Sequence, residues 1–305
     1  MVTPASPLLL KGQGTQFVAT VWDERGAVLP GVSLAWSVAP PVGVVGADGF
    51  FTATTAGAGT VTVAADGVVA TIPLRVREFS DLEYVVLPVM LVAADRTSVA
   101  GVRQGLARFR SVMEHLRGWY QLRAGRTFPF LEPVWLPTTR TAAVWDQISY
   151  ATDVPEKRGD TTVRERIELL RVAKEEYGQH FPPPGPKLKI VLVPYTGDSP
   201  DVWLGALAEF TGGSFLVAPP RATSVNCPPS GALDSRCADA AYAIGHELGH
   251  LLGLEHACQA YQDATSQSRC RMSIMESGKP PLAILLPLEV AALTASPFLS
   301  PAAGQ

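Results

Sequence analysis

The run His246-Glu-Leu-Gly-His250-Leu-Leu-Gly-Leu-Glu-His256 constrains this 305-residue chain more than any other stretch, because three of its five histidines fall in these eleven residues. On an α-helix, residues four apart return to nearly the same face, so His246 and His250 offer two imidazole nitrogens one turn apart. Glu247 lies beside them. Gly253, three residues past His250, can take the left-handed conformation that ends a helix and swings the chain round, which lets His256 return as a third ligand. Three neutral imidazoles leave one tetrahedral position of a Zn²⁺ ion for water, the open arrangement of a catalytic site rather than the closed one of a structural site. A bare pair of histidines around a glutamate arises by chance in helices, but the third histidine and the glycine make chance a poor explanation here. Upstream, Asp234 and Ser235 are N-cap candidates, and Ala241, Ile244, Leu248, Leu251 and Leu252 recur on one face, so a buried, rigid helix is expected. His115 and His180 are expected at the surface, on helices.

With its glutamate and glycine in place, the run resembles the active site of the metzincin clan of zinc endopeptidases, which includes matrixins, astacins and adamalysins. Clan members carry a tight methionine turn beneath the zinc, and Ser273-Ile-Met275-Glu-Ser277 stands at a suitable distance, with Met272 the alternative occupant. Two positions depart from familiar members: Ser277 stands where astacin-like enzymes carry a tyrosine, and Ala257 follows the third histidine. The resemblance implies one Zn²⁺ held by His246, His250 and His256, with Glu247 as the general base that takes a proton from water and delivers it to the leaving amine. It also implies a mixed sheet whose edge strand lies above the zinc cleft, and a closing C-terminal helix, expected within Leu282 to Leu299. An extended peptide substrate would pair with that edge, for which Gly212, Gly213, Ser214 and Phe215, running on to Ala218, are the candidates. Two other readings compete: an adhesin that grips a partner without cleaving it, and zinc-assisted hydrolysis of a non-peptide bond. Against the adhesin stands Glu247, since a pure binder has no use for a general base.

Four cysteines, Cys227, Cys237, Cys258 and Cys270, all flank this region. They can pair in three ways, but Cys227 with Cys237 and Cys258 with Cys270 would each close a short loop. Disulfides imply an oxidising compartment, so an extracellular or cell-surface, bacterial-like protein is expected. The opening residues lack the basic start and long apolar core of a signal peptide, as in a trimmed or mature form. A net charge of -3 gives no electrostatic case for nucleic acid or anionic membrane, and no apolar run reaches bilayer-spanning length. The expected partner is a protein or peptide substrate. Asp198 and Asp201 share a glycine-containing loop that could hold calcium, but they lack a patterned ligand set, and a solvated loop is expected.

At this length two domains are expected. Residues 1–78 read as all-β, with short alternating runs around Trp22, Trp36 and Val38 separated by Asp23–Gly26, Leu29–Gly31 and Ala47–Gly49 turns. The stretch resembles bacterial immunoglobulin-like domains of the invasin and intimin type: a Gly14-Thr15 start, the Asp23 to Gly26 turn, the Trp36 strand and a closing Gly59-Thr-Val-Thr-Val strand. Such modules serve as spacers or in adhesion, and a spacer is the expected role. Residues 79–305 read as an α/β (α+β) metzincin-like domain. Strands are expected at Tyr84–Val92, near Phe128–Leu136, at Leu188–Val193 and at Gly212–Ala218. Helices are expected from Val99 to Leu116, from the Thr162-x-x-Glu165 capping box to Tyr177, and along the active-site run. Pro88 within the first strand points to an edge or a bulge.

Overall fold

The computed structural model describes residues 2–4, 7–150, 161–197, 206–208, 212–218, 220–228, 233–256, 270–275 and 283–301, with backbone alone at 149–150, 161–167, 207 and 300–301. The chain forms two compact units, Met1–Glu83 and Tyr84–Gln305. The division falls after Glu83 rather than 78 because a 3-10 turn, Phe79–Asp81, follows the last strand of the first unit.

The first unit is all-β. Its strands are β1 (Val2–Thr3), β2 (Leu8–Leu10), β3 (Gly14–Gln16), β4 (Val18–Ala19), β5 (Ala35–Ala39), β6 (Gly43–Val45), β7 (Phe50–Ala53), β8 (Gly57–Ala65) and β9 (Val68–Arg77). A four-stranded sheet in the order β2-β9-β8-β5 and a three-stranded sheet β3-β7-β6 contribute to one core of Leu9, Phe17, Phe51, Val61, Ile72 and Val76. Period-two alternation explains the longest strand, which buries Ile72, Leu74 and Val76 while Thr71, Pro73 and Arg75 face solvent. Asp66 and Gly67, at φ 46° and 84°, supply the positive-φ pair that a two-residue hairpin between β8 and β9 requires. Trp36 and Val38 both pack against the core from one face of β5.

In the second unit the strands are β10 (Val85–Val92), β11 (Arg126–Thr127), β12 (Val134–Pro137), β13 (Leu188–Tyr195), β14 (Leu207–Ala208), β15 (Phe215–Val217) and β16 (Ser300–Pro301). The helices are α1 (Val99–Ala124), α2 (Ala142–Tyr150), α3 (Thr161–Gly178), α4 (Ser235–Leu251) and α5 (Pro287–Ala295). A five-stranded mixed sheet runs β12-β10-β13-β15-β14, parallel throughout except for the antiparallel edge strand β14. Every residue of β10 and β13 is buried, which accounts for their apolar runs, interrupted in β13 by Lys189 alone. Phe109, Met113 and Leu116 of α1 share one apolar cluster with Ile244, Leu248 and Leu251 of α4.

Pro88 lies in an interior strand, not at an edge. Val86 bridges Phe130 and Val89 pairs with Val134, so the partner segment carries one more residue over that interval, and the missing N–H of Pro88 falls at this bulge. Helix α2, around the fully buried Trp145, was not expected from a proline- and threonine-rich stretch. His115 is corrected from surface to interior: it is 4% exposed, and its Nδ1 lies 2.9 Å from the Pro228 carbonyl. Asp198, Asp201, Ala257, Cys258 and Ser277 lie outside the described residues, as do the side chains of the expected capping box at Thr162 and Glu165. Among the described residues, no helix is long and apolar enough to cross a membrane.

Candidate metal centre

Helix α4 is fixed at both ends before any ligand is considered. At its start Asp234 adopts an extended conformation, and its carboxylate accepts the Cys237 N–H at 2.7 Å. Cys237 is bonded to Cys227, whose own N–H donates to Ser111 Oγ of α1 at 2.8 Å. At its end Gly253 takes φ 100°, the Gly253 N–H reaches His250 O at 3.0 Å and the Leu254 N–H reaches Gly249 O at 2.9 Å. This paired closure is the one a left-handed glycine permits after a helix, and it sends the chain back toward the helix with His256 on it.

The three histidines come together. Their rings are 4.8 to 5.1 Å apart by centroid, and one nitrogen from each lies within 4.8 Å of the others. The opposite nitrogens all face backbone carbonyls: His246 Nδ1 to Ile274 O at 2.8 Å, His250 Nδ1 to Leu254 O at 2.8 Å, and His256 Nδ1 to Met275 O at 3.0 Å. A carbonyl only accepts, so each Nδ1 carries a proton, and in a neutral ring Nε2 is then the atom with a lone pair for the cluster. Burial lowers the His246 pKa from 6.5 to about 4 against the opposing bond to Ile274, with the neighbouring His250 and His256 adding to the effect. The carbonyls thus turn the three Nε2 atoms toward one another, and the set could hold a metal ion.

Met275 is fully buried beneath the helix, and two glycines on α4 make room for its turn. A Cβ at Gly249 would lie 2.3 Å from Met275 Sδ, and one at Gly245 would lie 2.7 Å from Ile274 Cδ1 and 2.9 Å from Leu116 Cδ2. Tyr120 Oη of α1 donates to the Gly245 carbonyl at 3.0 Å, tying the helix from another side. Glu247 is half-buried, and its Oε2 accepts the N–H of Ala208 on edge strand β14 at 2.6 Å.

The expected substrate edge is in a different place. Strand β15, which continues from Gly212, Gly213 and Ser214, is flanked on both sides, by β13 and β14. Its leading residues serve internal bonds: the Gly212 N–H donates to His250 O at 2.8 Å, Lys189 Nζ donates to the carbonyls of Gly212 and Gly213 at 3.0 and 2.7 Å, and Ser214 O accepts from the Ile190 N–H at 2.7 Å. The Gly212 N–H therefore braces the end of α4, and among the described residues the edge strand on this side of the sheet is β14, whose Ala208 N–H is taken by Glu247. The pair Gly245 and Gly249 had a signal in the sequence, namely small residues four apart on the ligand helix. Ala208 had none. Cys227–Cys237 is a disulfide with its Cα atoms 5.6 Å apart, and Cys270 is also disulfide-bonded, while Cys258 is not among the described residues.

No protein-family model matches the chain, and no curated protein does. Among solved structures, domains 4 and 5 of the S-layer protein SbsC are similar at 18% identity over 25% of this chain and 49% of that one, with a TM-score of 0.19. A bacterial Ig-like domain-containing GH10 xylanase from termite gut is similar at 13% identity over 61% of this chain and 39% of that one, also with a TM-score of 0.19. The matches thus span half or less of either solved chain.

Proposed function

We propose that the chain is a zinc-dependent endopeptidase of the metzincin type, extracellular or surface-attached, whose first unit is an immunoglobulin-like module. The observation that carries this reading is the placing of Glu247: next to His246 in a cluster of three Nδ1-protonated histidines, and hydrogen-bonded to the edge strand of the sheet. Three neutral nitrogen donors suit Zn²⁺, which prefers imidazole and leaves an open position when only three protein ligands bind. When bound, the ion supplies Lewis acidity that acidifies water and polarises a carbonyl.

The protein's own groups do the rest. His246, His250 and His256 would hold the ion, their rings oriented by the Ile274, Leu254 and Met275 carbonyls. Glu247 takes a proton from water onto its carboxylate and returns it to the amine leaving the scissile bond. The Ala208 N–H on Oε2 limits rotation of that carboxylate, so its other oxygen meets the proton in a fixed direction. An extended peptide would add to β14, the antiparallel edge strand that Glu247 ties to the ligand helix through the Ala208 N–H. Cleavage of casein or a random peptide library, abolished by a chelator and restored by Zn²⁺, tests the reading. Metal binding with no cleavage of any library member would favour a binding protein instead.

A further inference from the structure

The methionine turn has its own support, and it comes from α5. Ser273 is fully buried, and its Oγ donates to Glu289 Oε1 at 2.6 Å while accepting the Met275 N–H at 2.9 Å. Glu289 is 5% exposed, and its other oxygen accepts the Leu286 N–H at 2.5 Å, capping the start of α5. The Met275 N–H and the Ile274 C=O belong to one rigid, planar peptide group and point in opposite directions. Holding the N–H on Ser273 therefore aims the carbonyl, and that carbonyl is the acceptor for His246 Nδ1.

Resting on the metal-centre reading above, we infer that Glu289 and Ser273 are positioning residues of that centre: the carboxylate fixes the hydroxyl, the hydroxyl fixes the Ile274–Met275 peptide plane, and the plane fixes the tautomer and tilt of His246. All three side chains are buried, which strengthens each bond of the line. The turn keeps a second attachment that does not use Ser273 Oγ, since the Ile274 N–H donates to Ile284 O at 3.2 Å and the Ile284 N–H to Met272 O at 3.0 Å. Loss of the hydroxyl thus changes how the turn is aimed rather than whether it forms.

The test uses the full chain with Ser273→Ala and Glu289→Gln, reading Zn²⁺ affinity by chelator competition and the visible absorption of the Co²⁺-substituted protein. Both variants should lose about 10- to 100-fold in Zn²⁺ affinity, the range for partners that orient metal ligands, and should shift the Co²⁺ bands. A merely structural role would lower the unfolding temperature and leave the Co²⁺ spectrum of the folded protein unchanged. If Glu289→Gln does not fold, Ser273→Ala carries the test, because it leaves the Leu286 cap bond in place. Folded variants with wild-type affinity and spectrum overturn the inference, as does failure of both to fold. A wild-type chain that binds no metal removes the centre itself, a different failure from a wild type that binds metal as tightly as its variants.

Discussion

Ala208 and Glu247 are joined by a 2.6 Å hydrogen bond from a backbone N–H of the sheet edge to a carboxylate oxygen of the ligand helix. The strand that would receive a peptide and the group that would move its proton are thus mechanically one unit. Ala208→Pro removes the N–H at a position where an edge strand tolerates proline. A hydrogen bond to a charged group contributes about 1.5 to 3 kcal/mol, so kcat should fall about 10- to 100-fold at unchanged metal content. Equal kcat, with one metal bound in both proteins, would show that the bond does not orient the base.

Gly249→Ala places a methyl where Met275 Sδ already lies. Overpacking of this kind costs about 1 to 3 kcal/mol, and the damage should fall on the turn whose carbonyls hold His246 and His256. Denaturant unfolding measures the loss. In a double-mutant cycle with Met275→Ala the two changes should be less than additive, because the smaller side chain vacates the space, and strict additivity would contradict the contact.

In the metal-free chain His246 gives a pH dependence of definite sign. Its folded pKa is near 4 against 6.5 in the unfolded chain, so between those values the unfolded state binds more protons. Stability therefore falls as pH drops from about 6.5 towards 4, by on the order of 3 kcal/mol from this group, and is unaffected by it above that window. His246→Gln should flatten this part of the profile. Denaturation of chelator-treated protein across the window compares the two, and identical slopes would contradict the burial of a neutral ring.

The Cys227–Cys237 bridge staples the approach to α4 and bears on the cap at Asp234. Replacing both cysteines by serine should cost about 2 to 4 kcal/mol of stability and weaken metal binding less than loss of a ligand does. Metal titration alongside thermal unfolding separates the two effects, and an unchanged melting temperature would count against a structural staple.

The spacing of His246, His250, Gly253 and His256 was legible because helix period and a left-handed glycine leave few geometries open. Asp234 was one of two cap candidates, with Ser235, that side-chain chemistry offered, and the buried runs of β10 and β13 followed from their apolar character, Lys189 apart. The edge strand was not legible: Leu207–Ala208 is two residues long, too short to carry a period, and is held by β15 and by Glu247. Without it, Gly212 to Ala218 read as the edge, although Lys189 and His250 occupy its leading groups. His115 was misread because its helix position faces the Cys227 segment, a contact made across 113 residues. Ser273 and Glu289, likewise, meet only in three dimensions.

The central claim is that Glu247 moves the proton while the three histidines hold the metal, and the variant Glu247→Gln tests it most directly. Metal content and peptide turnover are measured on the same preparation, with the wild-type chain beside it. Full wild-type Zn²⁺ content with turnover lowered about 10²- to 10⁴-fold is the predicted result, since a near-isosteric amide cannot accept the proton. Wild-type turnover by the variant at full occupancy would contradict the account.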